Sequence, residues 1–158
     1  KIINEILDTE RTYCHHLDQC VNVYMKPLAK MIEEGQGLIS QSHHREIFSS
    51  IEIIDTMHKH VFEEPTRSIN EASTGATDAN EARVGDVFVR LVDCLRLYKS
   101  YISNYNKSID TLSDNLDKPK FRAWIDEQHD THETLSLASI LITPIQRIPR
   151  YSLLLQAR

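Results

Sequence analysis

The stretch Leu141-Ile-Thr-Pro-Ile-Gln-Arg-Ile-Pro-Arg-Tyr-Ser-Leu-Leu-Leu155 combines a helical pattern with two residues that oppose it. Its apolar residues recur at intervals typical of one helical face. Pro144 and Pro149 each lack the backbone N–H that a helix interior needs, so the helix must kink or restart here. Thr143 can cap a new helix with Pro144 in its first turn. Pro149 then falls inside that helix, where the carbonyl of Ile145 loses its donor.

Three long polar side chains, Gln146, Arg147 and Arg150, accompany the prolines on this otherwise apolar segment. Two interpretations are open. The interruption presents these side chains at the surface, or the segment is a plain core helix with a proline defect.

A second strong pattern lies at the beginning of the chain and follows helical intervals of four and three. It predicts one long helix of about 34 residues, roughly 50 Å in length, that ends at Gly35 and Gly37. The residues of this seam are Ile3, Leu7, Glu10, Cys14, Leu17, Val21, Tyr24 and Leu28.

Glu10 is the acidic member of this apolar seam, and a carboxylate there costs free energy unless it meets a donor or lies at an opening. One explanation is an internal partner, such as a tyrosine hydroxyl or an arginine from another helix. The other is that this end of the seam is left uncovered for another protein. The residues alone leave both open.

The middle of the chain also reads as helical. Ser40 to Ser42 offer caps for a second stretch, which Pro65 should bend or end. Residues 72–80 lack apolar periodicity and are rich in turn formers, which predicts an exposed loop. The inward face of the second stretch is predicted to contain Ile47, Ile51, Ile54, His58, Val61 and Phe62.

A further helix is predicted from about Val84 to Tyr105, followed by a turn at 104–106 and a short helix over 109–116. Pro119 starts another helix that contains Trp124, read as a core residue. A last helical block starts near Thr134. No strand pattern and no repeat is found, so the fold class predicted is all-α.

Composition restricts the class of protein. With 158 residues, 41% hydrophobic and 26% charged, the chain is expected to form one folded domain over 1–158. The net charge of −5 without a basic run argues against nucleic acid as a partner. No apolar run is long enough to span a bilayer. Three cysteines among apolar neighbours indicate buried thiols in a reducing compartment, which we expect to be the cytosol.

Motifs for chemistry on a bound substrate are not found. The sequence contains no phosphate-binding glycine loop and no nucleophile elbow, so covalent catalysis and nucleotide binding by the chain itself are not expected. Two Asp-x-x-His pairs, Asp55/His58 and Asp126/His129, could contribute to a metal site on a helix face. A two-metal site also requires inward carboxylates from two more helices, and the second pair lies in a solvated run, so no metal and no cofactor is expected.

Both patterned segments resemble regions of one family. Thr143 to Leu155 is similar to the third conserved region of Dbl homology domains, the exchange module for Rho-family GTPases. Leu7-Asp-Thr-Glu-Arg-Thr-Tyr13, with Leu17 and Tyr24 to Leu28, resembles the first conserved region of the same family. Phe48 to Ile54 is a looser match to the second region.

The resemblance implies an elongated helical bundle of the Dbl homology type and a guanine nucleotide exchange factor without covalent chemistry. It implies a Rho-, Rac- or Cdc-type GTPase as partner, with Glu10 on switch I and with Gln146 and Arg150 on switch II. Leu7, Ser139 and Pro149 are expected to line the same face. Arg147 is read as structural, bonding carbonyls or acids inside the bundle.

In the family the last helix continues beyond the triple leucine and supplies a further asparagine-type contact. The chain is therefore expected to be a Dbl homology domain that is incomplete at its C-terminus, with membrane association only through a neighbouring domain. The alternative function is a helical scaffold that binds a GTPase or another protein without exchanging nucleotide.

Overall fold

A computed structural model describes the backbone of residues 2–71 and 77–156 and the side chains of 4–63, 85–154 and 156. Over these residues the chain is helical and contains no strand, which confirms the predicted all-α class. The elements are α1 (Ile2–Gln19), a π-helical segment (Cys20–Met25), α2 (Lys26–Glu33), α3 (Gln41–Phe48), α4 (Ile51–Glu71), α5 (Thr77–Leu116), α6 (Pro119–His132), α7 (Leu137–Leu141) and α8 (Thr143–Gln156). No helix among the described residues has the length and apolarity that crossing a bilayer requires.

The first three elements follow each other without a break, so the long N-terminal helix predicted from the seam is present. The sequence did not indicate the wide turn within it, where the N–H of Lys26 bonds the carbonyl of Val21. Pro27 has no N–H to continue the regular ladder, and the His44 ring bonds the carbonyl of Met25 at 2.8 Å. Four buried side chains lie in this turn: Cys20, Val21, Tyr24 and Met25.

The second predicted stretch is two helices, α3 and α4. They are separated at Ser49, whose positive φ of 49° ends α3. The Ser40 hydroxyl caps α3 by accepting the N–H of His43 at 3.1 Å, as predicted. The predicted inward face is buried throughout. Pro65 was expected to bend or end this helix; it does not end it, because α4 continues to Glu71, and the bend stays a prediction.

α5 is one helix of 40 residues, so the turn predicted at 104–106 was wrong. Asn104, one of the polar residues that suggested the turn, instead meets the end of α3, where helix carbonyls lack intrahelical partners. The Asn104 amide donates to the carbonyl of Glu46 at 2.9 Å, and the Ser108 hydroxyl donates to that of Ile47 at 2.6 Å. Of the predicted loop over 72–80, residues 77–80 belong to α5 and 72–76 lie outside the described residues.

The C-terminal elements follow the predicted interruption. α6 begins at Pro119, and its Trp124 is partly buried with its ring edge against Tyr24. α7 ends at Leu141, and α8 restarts with Pro144 in its first turn and Pro149 inside it.

Candidate functional site

α8 lies against α1 and runs antiparallel to it. Leu141, just before α8, accepts a hydrogen bond from Tyr101 at 2.5 Å, and α7 packs on the π-helical segment. Ten residues later, Tyr151 reaches Glu10 of α1. The two segments that the sequence singled out are therefore brought together on one side of the bundle.

A groove with a volume near 210 Å³ lies between these two helices. Hydroxyl, amide and cationic groups provide most of its polar lining, and no carboxylate is among the described residues that line it. Gln146 and Arg150 are exposed here. The described lining residues are Thr9, Thr12, Tyr13 and His16 from α1 with Thr143, Gln146, Arg147 and Arg150 from α8.

Glu10 is not part of this open surface. Its side chain is 3% exposed, and its two oxygens are bound from three directions. Nδ1 of His58 donates to Oε1 at 2.5 Å. Oε2 accepts from Nε and Nη2 of Arg147 at 3.0 and 2.5 Å and from the Tyr151 hydroxyl at 2.6 Å. The internal partners that the sequence left open are present, so the expectation of an uncovered carboxylate has to be corrected.

Arg147 is structural, as predicted. Its side chain is 4% exposed, and its guanidinium lies over the Tyr151 ring at 4.3 Å and near the Tyr13 ring at 5.6 Å. The planar fork of arginine suits both the carboxylate and the aromatic faces. The ion pair between Glu10 and Arg147 thus joins α1 to α8 inside the bundle.

The charge state of Glu10 follows from its surroundings. Burial by itself raises the pKa of this carboxyl, but the hydrogen bond and charge of His58, the charge of Arg147 and the Tyr151 hydroxyl outweigh it. The pKa therefore lies below its ordinary value of 4.5. A lowered pKa means that ionised Glu10 stabilises the fold above the unfolded-state value, and that this contribution is lost as pH falls through the folded pKa.

The difference in the free energy of unfolding between the protein and its Glu10→Gln variant should therefore become smaller at acidic pH. At pH 7 we expect the variant to be less stable by about 3 kcal/mol or more, because Arg147 remains buried without its counter-charge. The gap in unfolding free energy should narrow as the pH falls below about 4.5. Urea unfolding at several pH values measures it, and a constant gap would contradict the ionised state of Glu10.

The other residues predicted for the site differ in whether they are buried, exposed or part of the groove. Leu7 is 7% exposed and belongs to the core, so it does not line an open face. Ser139 and Pro149 are exposed, but they lie outside the groove lining. Only Gln146 and Arg150 of the predicted contacts lie in the groove.

Sequence reasoning missed the α1 side of the groove. Thr9, Thr12 and His16 follow helical intervals of three and four, and Glu5 lies four residues before Thr9 on the same face. Glu5 is exposed. The spacing of this polar stripe indicates an exposed polar face of α1, whereas the prediction rested on the acid in the apolar seam.

Glu10, Cys14 and His58 offer three ligand atoms within 4.8 Å of one another. The Arg147 guanidinium already holds Oε2 of Glu10, and its charge would oppose a cation at this position. Asp55 of the predicted Asp55/His58 pair turns to Lys59 instead, at 3.0 Å. The geometry therefore favours a hydrogen-bonded cluster over a metal site.

A helical bundle in which a buried ion pair ties the first helix to the last beside an open polar groove agrees with the Dbl homology class. The RhoGEF domain family matches residues 2–157. The chain belongs to this family.

Curated relatives and solved structures agree. The chain is 36% identical to "Guanine exchange factor for Rac 30" of Dictyostelium discoideum, over 99% of the chain and 9% of that protein. It is 29% identical to human "FYVE, RhoGEF and PH domain-containing protein 4", over 99% of the chain and 20% of that protein. The chain thus spans a fifth or less of the length of these two relatives.

Among solved structures, a chain reported under "Critical structural role for the PH and C1 domains of the Vav1 exchange factor" superposes with a TM-score of 0.81 and 24% identity. The match covers 98% of this chain and 39% of that chain. The "NMR structure of the Y174 autoinhibited Dbl homology domain" gives a TM-score of 0.75, also at 24% identity, over 98% of this chain and 69% of that chain. These likenesses establish a shared fold.

Proposed function

We propose that this domain binds a Rho-family GTPase in the groove between α1 and α8 and promotes release of its GDP. The observation that carries the proposal is the juxtaposition of the two conserved-region segments, with Gln146 and Arg150 exposed between them. The family assignment supports the class of partner, and the name of the Dictyostelium relative indicates a Rac-type GTPase for that protein.

The proposed mechanism requires no covalent chemistry. A GTPase holds its nucleotide through a phosphate loop, a magnesium ion and two ordered switch segments. A factor that binds the nucleotide-free form best weakens nucleotide binding by the same factor as nucleotide weakens its own. A thousandfold faster release asks for about 4 kcal/mol of differential stabilisation, which a few contacts can supply.

The contacts are assigned by exposure. Gln146 and Arg150 act from α8, with the hydroxyl oxygens of Thr9 and Thr12 opposite them on α1 as acceptors. Glu5 supplies an exposed carboxylate at the N-terminal end of the same α1 face. A direct contact of Glu10 with switch I stays a prediction, and it requires the buried cluster to open.

The family's flanking contacts complete the assignment. Ser139 and Pro149 are exposed and can touch a partner that extends past the groove. Leu7 does not contact the partner directly; it is part of the core on which α1 packs.

A cytosolic setting is part of the proposal. Cys14, Cys20 and Cys94 are free thiols, and burial raises the pKa of each of them. Such thiols are usual in a reducing compartment. Recruitment to a membrane through a neighbouring domain remains an expectation.

Release of fluorescent GDP from a panel of Rho-, Rac- and Cdc-type GTPases tests the function. We expect at least one member to release GDP about tenfold faster or more in the presence of the domain. Binding to nucleotide-free GTPase without faster release would instead support the scaffold alternative. Neither binding nor release across the panel would overturn the proposal.

A further inference from the structure

His58 lies at the centre of a buried polar cluster that spans four helices. Its side chain has no exposed surface, and it projects from α4 towards α1. On one side it donates to Glu10, and on the other its Nε2 is hydrogen-bonded to the Tyr98 hydroxyl. Tyr98 is in turn bonded to the Tyr13 hydroxyl at 2.8 Å.

The direction of the His58 ring is fixed by its packing. The Phe62 ring stacks on it with an interplanar angle of 6° and a centroid distance of 5.5 Å. The Tyr13 ring meets it edge-on at 5.0 Å. These two contacts fix the plane of the ring, and within that plane Nδ1 faces the Glu10 carboxylate.

The proton assignment follows from the partners. A carboxylate can only accept, so Nδ1 carries the hydrogen that Glu10 receives. Nε2 lies on the far side of the ring, against the Tyr98 hydroxyl, which has both a donor and lone pairs to offer.

Glu10 transmits this orientation to α8. With Oε1 held by His58, Oε2 faces Arg147 and receives two of its donors. Arg147 is one residue after Gln146 and three before Arg150, so the turn that binds Glu10 is the turn that carries both exposed groove residues. A bidentate arginine defines the rotation of that turn more strictly than packing alone.

We propose that His58 is a positioning residue for the groove. It holds Glu10 in the orientation that fixes Arg147, and it thereby sets where α8 presents Gln146 and Arg150. This inference rests on the proposed function, since the groove is taken as the GTPase-binding surface. His58 itself lies beneath the surface of the bundle.

Two amide variants separate this role from a general contribution to stability. In His58→Asn the amide can replace Nδ1 and keep a donor towards Glu10, whereas in His58→Gln the amide replaces Nε2 and keeps only the bond to Tyr98. Each variant loses one buried hydrogen bond and ring packing, so we expect similar decreases in melting temperature.

Activity should divide the two variants. We expect His58→Asn to keep the maximal GDP-release rate within about twofold of the parent, and His58→Gln to lose about tenfold with a smaller change in KM. Equal loss in both variants would reduce His58 to a structural residue. Full activity in His58→Gln would overturn the proposal.

A second readout does not depend on exchange activity. The Nε–H proton of Arg147 is buried against Glu10 and should give a slowly exchanging NMR signal. We expect that signal to persist in His58→Asn and to broaden or disappear in His58→Gln. If it behaves so while no GTPase responds to the parent domain, the positioning role stands and the proposed function fails. An unchanged signal in both variants contradicts the positioning role.

Discussion

Replacement of Arg147 by methionine is expected to destabilise the domain by about 3 to 5 kcal/mol. The substitution keeps a long side chain but leaves the buried Glu10 carboxylate with His58, Tyr151 and the more distant Cys14 thiol as donors. Breaking one side of a buried pair exposes the full cost of desolvating the other. Urea unfolding followed by circular dichroism measures the change in the free energy of unfolding.

The chain provides a matched control three residues further along the same helix. Arg150→Met makes the same chemical change at an exposed position, so we expect it to alter stability by less than about 0.5 kcal/mol. The double variant Glu10→Leu/Arg147→Met should recover part of the loss, because no unpaired charge remains buried. Equal stability of the two arginine variants would contradict the buried pair.

Arg150→Glu should decrease GDP release by about tenfold or more while stability stays within about 0.5 kcal/mol of the parent. The side chain is exposed in the groove and is free to meet a partner. Reversal of its charge replaces attraction with repulsion where α8 faces the proposed switch contacts. Initial rates of fluorescent GDP release at several GTPase concentrations measure the effect.

Arg122→Glu is the control for this prediction. Arg122 is exposed on α6 and outside the groove, so its reversal changes the net charge by the same amount. We expect exchange to remain within about twofold of the parent. Equal losses in the two variants would indicate a long-range charge effect and would remove Arg150 from the interface.

The sequence predicted the helical class, the long first helix and the restart at Pro144 because these depend on local patterns. It also predicted that Arg147 is internal. It did not predict that α5 continues through 104–106, because local polarity cannot show that Asn104 and Ser108 meet the free carbonyls of α3. Contacts with α3 therefore outweighed the local turn propensity of residues 104–106.

The candidate site shows the same division. The apolar seam located Glu10 correctly as an unusual acid, and the two explanations for it differed only in what lies opposite. That answer depends on Arg147, which is 137 positions away in sequence. The groove face of α1 was overlooked because threonines on a helix look like ordinary surface residues until a second helix is placed beside them.

Hydrogen–deuterium exchange of the domain with a nucleotide-free Rho-family GTPase tests the central claim most directly. The GTPase used should be one that responds in the release assay. We expect binding to protect peptides covering residues 5–16 and 143–152, which form the two sides of the groove, and to leave α6 unchanged. Protection confined to α6 or to the exposed face of α5, with the groove peptides unchanged, would contradict the account.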